Sequence, residues 1–195
     1  MKRLALNHII SRSITAIVLV IACASCATES FTYEQAINDD GHYGGTAWDY
    51  ISKAPTSDSL ALIKDAIILA GMQNDYSTTE KRTFLVPKNK AFRAYMKAGG
   101  YASFSAMPLF KLQSLLKYHI AKGIYNTQDV QFLTNNKPIR YETEEGINPL
   151  FFSHNSSFQT LINEGTKKTY TVYTSNIQPT NGIINITTDV IVYIP

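Results

Sequence analysis

The stretch Thr83-Phe-Leu-Val-Pro-Lys-Asn-Lys-Ala-Phe92 changes character within ten residues. Its apolar start ends at Pro87, which is typical of a short buried strand. Asn89 is then in position to cap a helix that ends at Gly99-Gly100. That helix has an apolar face, formed by Phe92, Tyr95 and Met96. The stretch therefore predicts a strand that passes through proline directly into an amphipathic helix.

Helices are also predicted on both sides of this stretch. A short one covers Trp48 to Ile51, and a longer one covers residues 58–70, with Ser57-Asp58 as caps and Gly71 as the stop. Apolar residues recur at helical spacing along the longer helix, at Leu60, Ile63, Ile67 and Ala70. A third helix starts at Pro108, and one face of it carries Leu112, Leu115, Leu116 and His119. Helices therefore dominate the first part of the domain.

Beyond Gly123 the chain changes to short segments rich in β-branched and aromatic residues, separated by turn residues such as those of Asn181-Gly182. Six segments are predicted as strands: 137–141, 150–152, 158–162, 170–173, 183–186 and 190–194. A helical half followed by a strand-rich half indicates an α+β domain, with N-terminal helices packed against a small sheet or sandwich.

Three segments together resemble the fasciclin-like domain, a family found in secreted and surface adhesion proteins. Residues 83–92 are similar to its first signature, 115–119 to its central Tyr-His element, and 181–195 to its closing strand pair. The resemblance covers about Trp48 to Pro195 and implies a fasciclin-like fold. The residues that carry it are Thr83, Pro87, Ala91, Phe92, Tyr118, His119, Asn181 and Gly182. His119 lies on an apolar helix face, which indicates a packing role in which its ring nitrogens form hydrogen bonds between helix and sheet. The resemblance implies the same role.

Residues 1–22 have the features of an export signal, with three positive charges followed by an apolar run from Ile14 to Ala22 that is too short to span a bilayer. Val20-Ile-Ala-Cys23 resembles the lipobox of bacterial lipoproteins, in which the cysteine is acylated and becomes the mature N-terminus. Cys26 is the alternative site of acylation. An ordinary secretory signal is the alternative to a lipoprotein signal. Acyl chains would hold the protein at the membrane. We therefore expect a bacterial protein anchored at the outer membrane surface or facing the periplasm, with a flexible tether over 23–45 and one domain over 46–195.

The charge balance and the motif content argue against several functional classes. Without the three basic residues of the export signal, 15 Lys and Arg face 15 Asp and Glu, which provides no electrostatic footprint for nucleic acid. No cysteine follows Cys26, and no metal-ligand, phosphate-loop or serine-nucleophile motif occurs. The carboxylate pairs Asp39-Asp40 and Glu144-Glu145 fall in loop-like sequence. We therefore expect no nucleic-acid partner, no cofactor, no metal and no catalytic residue.

The function expected is adhesion, by a lipid-anchored domain that binds a protein or glycan at the cell surface. The first alternative is a glycan-binding accessory lipoprotein of a nutrient-capture system, and the second is an uncharacterised hydrolase. Alternation along strands turns about half of their side chains outward, so aromatic residues of the strand-rich half are the candidate binding residues. They are Tyr141, Phe152, Tyr170, Tyr173 and Tyr193, with Phe151 and Phe158 in the wider group. The balanced charge predicts that binding depends little on salt.

Overall fold

The computed structural model describes residues 41–54, 60–127, 129–133 and 137–195. The predicted export signal, both candidate acylation cysteines and most of the predicted tether lie outside these ranges, as do the predicted caps Ser57 and Asp58. No helix within the described ranges is both long enough and apolar enough to cross a membrane.

The helices lie mainly in the first part of the domain. They are α1 (Ala47–Ser52), α2 (Ala61–Ala70), α3 (Gln73–Ser77), α4 (Asn89–Ala98), α5 (Leu109–Tyr118) and α6 (Val130–Leu133), with a 3-10 turn at Phe104–Ala106. The helix predicted over residues 58–70 is confirmed over Ala61–Ala70 as α2, which ends at left-handed Gly71, while residues 58 and 59 lie outside the described ranges. Periodicity does not predict α3 or α6, because one turn of helix is too short to show a period.

The described residues form one sheet of seven strands. These are β1 (Arg82–Pro87), β2 (Ile120–Lys122), β3 (Ile139–Tyr141), β4 (Leu150–His154), β5 (Thr160–Ile162), β6 (Tyr170–Ile177) and β7 (Gly182–Thr187). Their order is β2-β1-β7-β6-β5-β4-β3, with β1 and β7 parallel and the other neighbours antiparallel. The two ends of the sheet meet, because the Lys122 amide donates to the Glu142 carbonyl at 2.8 Å and the Glu144 amide donates to the Ile120 carbonyl at 2.9 Å. The sheet is therefore nearly closed, and the predicted α+β class is confirmed.

Aromatic rings fill much of the core enclosed by this sheet. The Tyr125 ring stacks on Phe152 with centroids 5.0 Å apart, Phe132 lies 4.9 Å from Tyr125, and Tyr141 meets Phe152 edge-on at 5.4 Å. We call Tyr125, Phe132, Tyr141 and Phe152 the inner aromatic cluster. Ring pairs in these offset and edge-on arrangements add to the stabilisation that burial alone provides.

Asn181 and Gly182 join the helices to the start of β7. The Asn181 side chain accepts from the Ala47 amide at 2.8 Å, at the N-terminus of α1, and donates to the Tyr76 carbonyl at 3.0 Å. Gly182 has φ +156°, and a Cβ there would lie 1.9 Å from the Arg82 carbonyl oxygen. Only glycine therefore allows β7 to approach β1 so closely at this point.

Asn89 does not cap its own helix, which corrects the prediction. It is the first residue of α4, preceded by Lys88 at the N-cap position without a side-chain cap bond. Its side-chain oxygen instead accepts from the Leu62 amide at 2.7 Å, in the first turn of α2. Since the N-cap residue of α2 is Leu60, which has no side-chain acceptor, a residue distant in sequence satisfies this amide.

The last residues of the predicted tether belong to the domain. The Tyr43 amide donates to the Gln178 carbonyl at 2.9 Å, and the Gln178 amide donates to the Gly41 carbonyl at 2.8 Å. Tyr43 is buried against Tyr50. The prediction of a tether that extends to residue 45 is therefore wrong for residues 41–45, because backbone pairing distant in sequence orders them.

Residues 190–195, which we call the C-terminal segment, do not form the strand predicted over 190–194. Two of their backbone amides bind side chains instead of a neighbouring strand. The Ile191 amide donates to His119 Nε2 at 3.0 Å, and the Val192 amide donates to the Tyr170 hydroxyl at 3.2 Å. The β-branched composition of this segment reflects burial of Val190 and Ile191 rather than strand pairing.

Candidate binding groove

The aromatic residues predicted to bind are divided between core and surface. Phe152 and Tyr170 are buried and offer no ring to a ligand, which corrects the prediction for these two. The nearly closed sheet turns one face of each strand into the core, and alternation alone does not show which face that is. Tyr141 is half-buried, and its hydroxyl donates to the Ile124 carbonyl at 2.9 Å.

Tyr173 and Tyr193 occupy different surfaces. Tyr173 is 64% exposed on β6, where the Lys88 ammonium lies 3.1 Å from its ring centroid. Phe158, from the wider group, is also exposed and stacks on His154. Tyr193 is half-buried and lines a groove beside the helices. The predicted binding residues are therefore not gathered on one exposed face.

A groove of about 640 Å³ lies between α4, α5, the 145–148 loop and the C-terminal segment. Its aromatic walls come from Tyr95 on α4, Tyr101, Phe110 on α5, and Tyr193. The three tyrosines are half-buried, and Phe110 is 68% exposed. Rings with apolar faces and polar edges can contact both the apolar and the hydroxyl-bearing parts of a ligand.

Polar groups of the groove are held in place by one another. The Glu145 carboxylate accepts from Ser114 Oγ at 2.8 Å, from the Asn148 amide at 3.3 Å and from Asn148 Nδ2 at 3.2 Å. Lys111 Nζ donates to the Tyr101 hydroxyl at 3.5 Å. The Tyr95 hydroxyl is protonated at ordinary pH, and burial raises its pKa further above the usual value. The groove therefore presents one carboxylate, one ammonium and several neutral hydrogen-bonding groups.

Tyr118 contributes to the groove from the end of α5. Its hydroxyl donates to the Pro149 carbonyl at 3.1 Å and accepts from Asn163 Nδ2 at 3.0 Å. Burial raises the pKa of Tyr118 well above its usual range. This hydroxyl therefore links α5 to the residue before β4 and to the residue after β5 instead of facing a ligand.

His119 lies behind the groove and positions one of its walls. Its Nδ1 donates to the Leu115 carbonyl at 2.8 Å, and its Nε2 accepts from the Ile191 amide at 3.0 Å. Burial lowers the pKa of His119 to about 4, so the ring is neutral and can hold one nitrogen as donor and the other as acceptor. His119 thus ties α5 to the C-terminal segment, which carries Tyr193.

The remaining residues of the family resemblance lie in the core and do not line the groove. They are Thr83, Pro87, Ala91, Phe92, Asn181 and Gly182, all buried. Thr83 Oγ1, for example, donates to the Gly123 carbonyl and accepts from the Tyr125 amide, both at 2.9 Å. Within the described residues, no group of three or more His, Cys, Asp or Glu side chains is arranged to hold a metal ion.

Sequence reasoning missed three walls of the groove, Tyr95, Tyr101 and Phe110. Phe110 does leave a signal, since it lies on the side of α5 opposite the buried residues Leu112 and Leu116, where a solvated helix usually has polar residues. Tyr101 leaves no such signal, because it lies in a loop and a loop has no periodicity that predicts the direction of a side chain.

The family follows from comparison with known proteins. The family model described as the fasciclin domain matches residues 56–193, more than half of the chain. The chain therefore belongs to the fasciclin domain family, as the resemblance predicted. In fold it is similar to the structure of a FAS1 domain pair from the insect cell adhesion molecule Fasciclin I, at a TM-score of 0.60 and 17% identity. That match covers 76% of this chain and 51% of that chain. Comparison with curated proteins finds no match.

Proposed function

We propose that this chain is a lipid-anchored binding protein of the bacterial envelope, whose fasciclin domain attaches to another macromolecule through the groove between α4 and α5. The groove is the observation that carries the proposal. It has a volume of about 640 Å³, aromatic walls and a few fixed polar groups, a combination typical of ligand sites. The partner is a protein or a glycan at the cell surface, and the protein acts by adhesion.

Binding fits the ionisable groups of the groove better than catalysis does. The Glu145 carboxylate is occupied by hydrogen bonds from Ser114 and Asn148. His119 is buried and neutral, with both ring nitrogens engaged. A hydrolase, the weakest alternative, would need an acid, base or nucleophile free to reach a substrate.

The shape of the groove favours a glycan over a protein partner. Tyrosine rings on a concave wall can stack on sugar rings, whereas a protein partner is better served by a broad apolar patch with a polar rim. Glycan binding would be consistent with adhesion. It would be equally consistent with the alternative function, an accessory lipoprotein in nutrient capture. Both versions depend on the same contact surface.

The test applies the full chain and three variants to a glycan array and to pulldown from envelope extracts. Phe110→Ser removes the most exposed ring of the groove and is expected to weaken binding roughly tenfold. Tyr173→Ser on β6 tests the rival aromatic surface, and Val130→Ser is the matched control, because Val130 is also exposed. Loss of binding with Tyr173→Ser alone would move the site to β6. Equal binding by all three variants, or no ligand for the wild type, would reject the groove.

The lipid anchor is proposed at Cys23, with Cys26 as the alternative, and both lie outside the described residues. Metabolic labelling with a fatty-acid analogue should label the wild type and Cys26→Ala but not Cys23→Ala. Labelling that survives in Cys23→Ala would transfer the anchor to Cys26, and absence of label in the wild type would end the lipoprotein proposal.

A further inference from the structure

The near-neutral charge of the domain conceals a strong segregation of charge along the chain. Residues 81–127 contain nine Lys and Arg and no Asp or Glu, whereas residues 27–80 contain nine Asp and Glu and two Lys. This basic stretch includes both α4 and α5, the two helices that border the groove. The two helices that border the groove therefore carry five of these nine cations and no acidic residue.

Four of the nine cations are engaged elsewhere. Arg82 pairs with Glu80 and Glu144, and Lys122 lies 3.8 Å from Glu144. Lys81 donates to a backbone carbonyl at 2.7 Å, and Lys88 lies over the Tyr173 ring. The remaining five belong to α4 and α5, and none of them forms an ion pair with a described residue: Lys90, Arg93, Lys97, Lys111 and Lys117.

Three of these five form a ridge along α4. Lys90, Arg93 and Lys97 recur at three- and four-residue spacing, so they share one helix face, and all three are exposed. The opposite face is buried through Ala91, Phe92 and Met96. We call Lys90, Arg93 and Lys97 the basic ridge. Like charges placed this close repel one another, which indicates a surface that an anionic partner would stabilise.

The basic ridge and part of the groove lining belong to the same helix, although none of the three ridge residues lines the groove itself. Ala98, which directly follows Lys97, lines the groove, whereas Arg93 lines a second cleft of about 430 Å³ toward α2. On the far wall of the groove, Lys111 adds a fourth cation. One carboxylate lies on each side, Glu145 in the groove, where it is occupied by hydrogen bonds, and Asp65 in the second cleft.

We propose that the groove and the basic ridge together bind an acidic polysaccharide. This inference rests on the proposed binding function and names the chemistry of the partner. The tyrosine walls stack on sugar rings, and the ridge pairs with the carboxylates or sulfates that the same polymer carries along its length. A flat lipid surface could reach the ridge but could not fill a concave groove, and an acidic peptide would supply the charges without the flat rings. The assignment also revises the expectation that salt matters little.

The test uses the full chain with polygalacturonate and its methyl ester, which share the sugar rings and differ in charge. We expect binding to polygalacturonate, at least tenfold weaker binding to the ester, and a loss of roughly tenfold between about 50 and 500 mM salt. Lys90→Gln/Arg93→Gln/Lys97→Gln should weaken binding roughly tenfold. The matched control Lys53→Gln/Lys137→Gln/Lys167→Gln removes the same charge from exposed sites outside residues 81–127 and should bind as the wild type does.

Two further probes, vesicles containing phosphatidylglycerol and poly-glutamate, represent the rival partners. Preference for either one over polygalacturonate would overturn the proposal in favour of a membrane or an acidic protein. Equal binding to polygalacturonate and its ester, or equal effects of the two triple variants, would also overturn it. In that case the groove function would survive if Phe110→Ser still weakened binding of a neutral glycan, so the two proposals fail separately.

Discussion

The inner aromatic cluster and the aromatic walls of the groove use the same residue types for different purposes. Phe152 and Tyr125, inside the sheet, are almost completely buried and stack on each other. Phe110 and Tyr193, beside the helices, keep part of each ring in contact with solvent. Aromatic content alone therefore does not locate a binding surface. What separates the two groups is whether closure of the sheet covers them.

The largest expected difference between the two regions is in stability. Phe152→Ala should lower the free energy of unfolding by about 3–5 kcal/mol, because it leaves a cavity among packed rings. Phe110→Ala should change it by no more than about 0.5 kcal/mol, because the ring is mostly solvated. Urea denaturation of both variants measures this contrast. Similar losses for the two would mean that Phe110 is a core residue and that the groove wall is part of the core.

His119 connects the two regions, and its titration should reveal the connection. Its pKa of about 4 in the folded protein lies below the ordinary 6.5, so between these values the unfolded chain binds a proton that the folded protein does not. Stability from this group is therefore complete above about pH 6.5 and is lost as pH falls toward 4, by about 3 kcal/mol. Urea denaturation from pH 7 to 4 measures it.

His119→Gln is the control for this titration, since glutamine retains a donor and an acceptor but does not titrate in that range. Carboxylates contribute equally to both proteins, so the difference between the two pH profiles isolates the histidine. Profiles of equal slope would show that His119 is accessible to protons in the folded state.

A matched pair of hydroxyl deletions gives the smallest expected effect. The buried Tyr125 hydroxyl has no hydrogen-bond partner among the described residues, whereas the Tyr118 hydroxyl binds Pro149 and Asn163. Tyr125→Phe should therefore leave stability unchanged or raise it by about 1 kcal/mol, and Tyr118→Phe should lower it by about 1–2 kcal/mol. Thermal melting of both variants measures these two changes in stability. A loss with Tyr125→Phe would mean that a buried water satisfies that hydroxyl.

Much of the fold could be predicted from local patterns. The apolar period over residues 60–70 and the run before Pro87 correspond to α2 and β1, since burial of one helix face or of a short strand leaves a direct trace in the order of residues. The site could be predicted much less well. Strand alternation assigns residues to two faces of each strand but does not show which face is buried. Phe152 and Tyr170 lie on the buried face.

The sequence by itself determined the α+β class, the order of most elements and the fasciclin signatures, because these depend on neighbours within a few turns or strands. Tertiary structure decided that Asn89 caps α2 rather than its own helix, that residues 41–45 join the domain, and that the C-terminal segment binds His119 instead of pairing as a strand. It also decided that Tyr95, Tyr101 and Tyr193 line one groove together with Lys111. The physical reason is the same in each case: these features depend on contacts between residues far apart in sequence, formed only when the sheet closes and the helices pack on it.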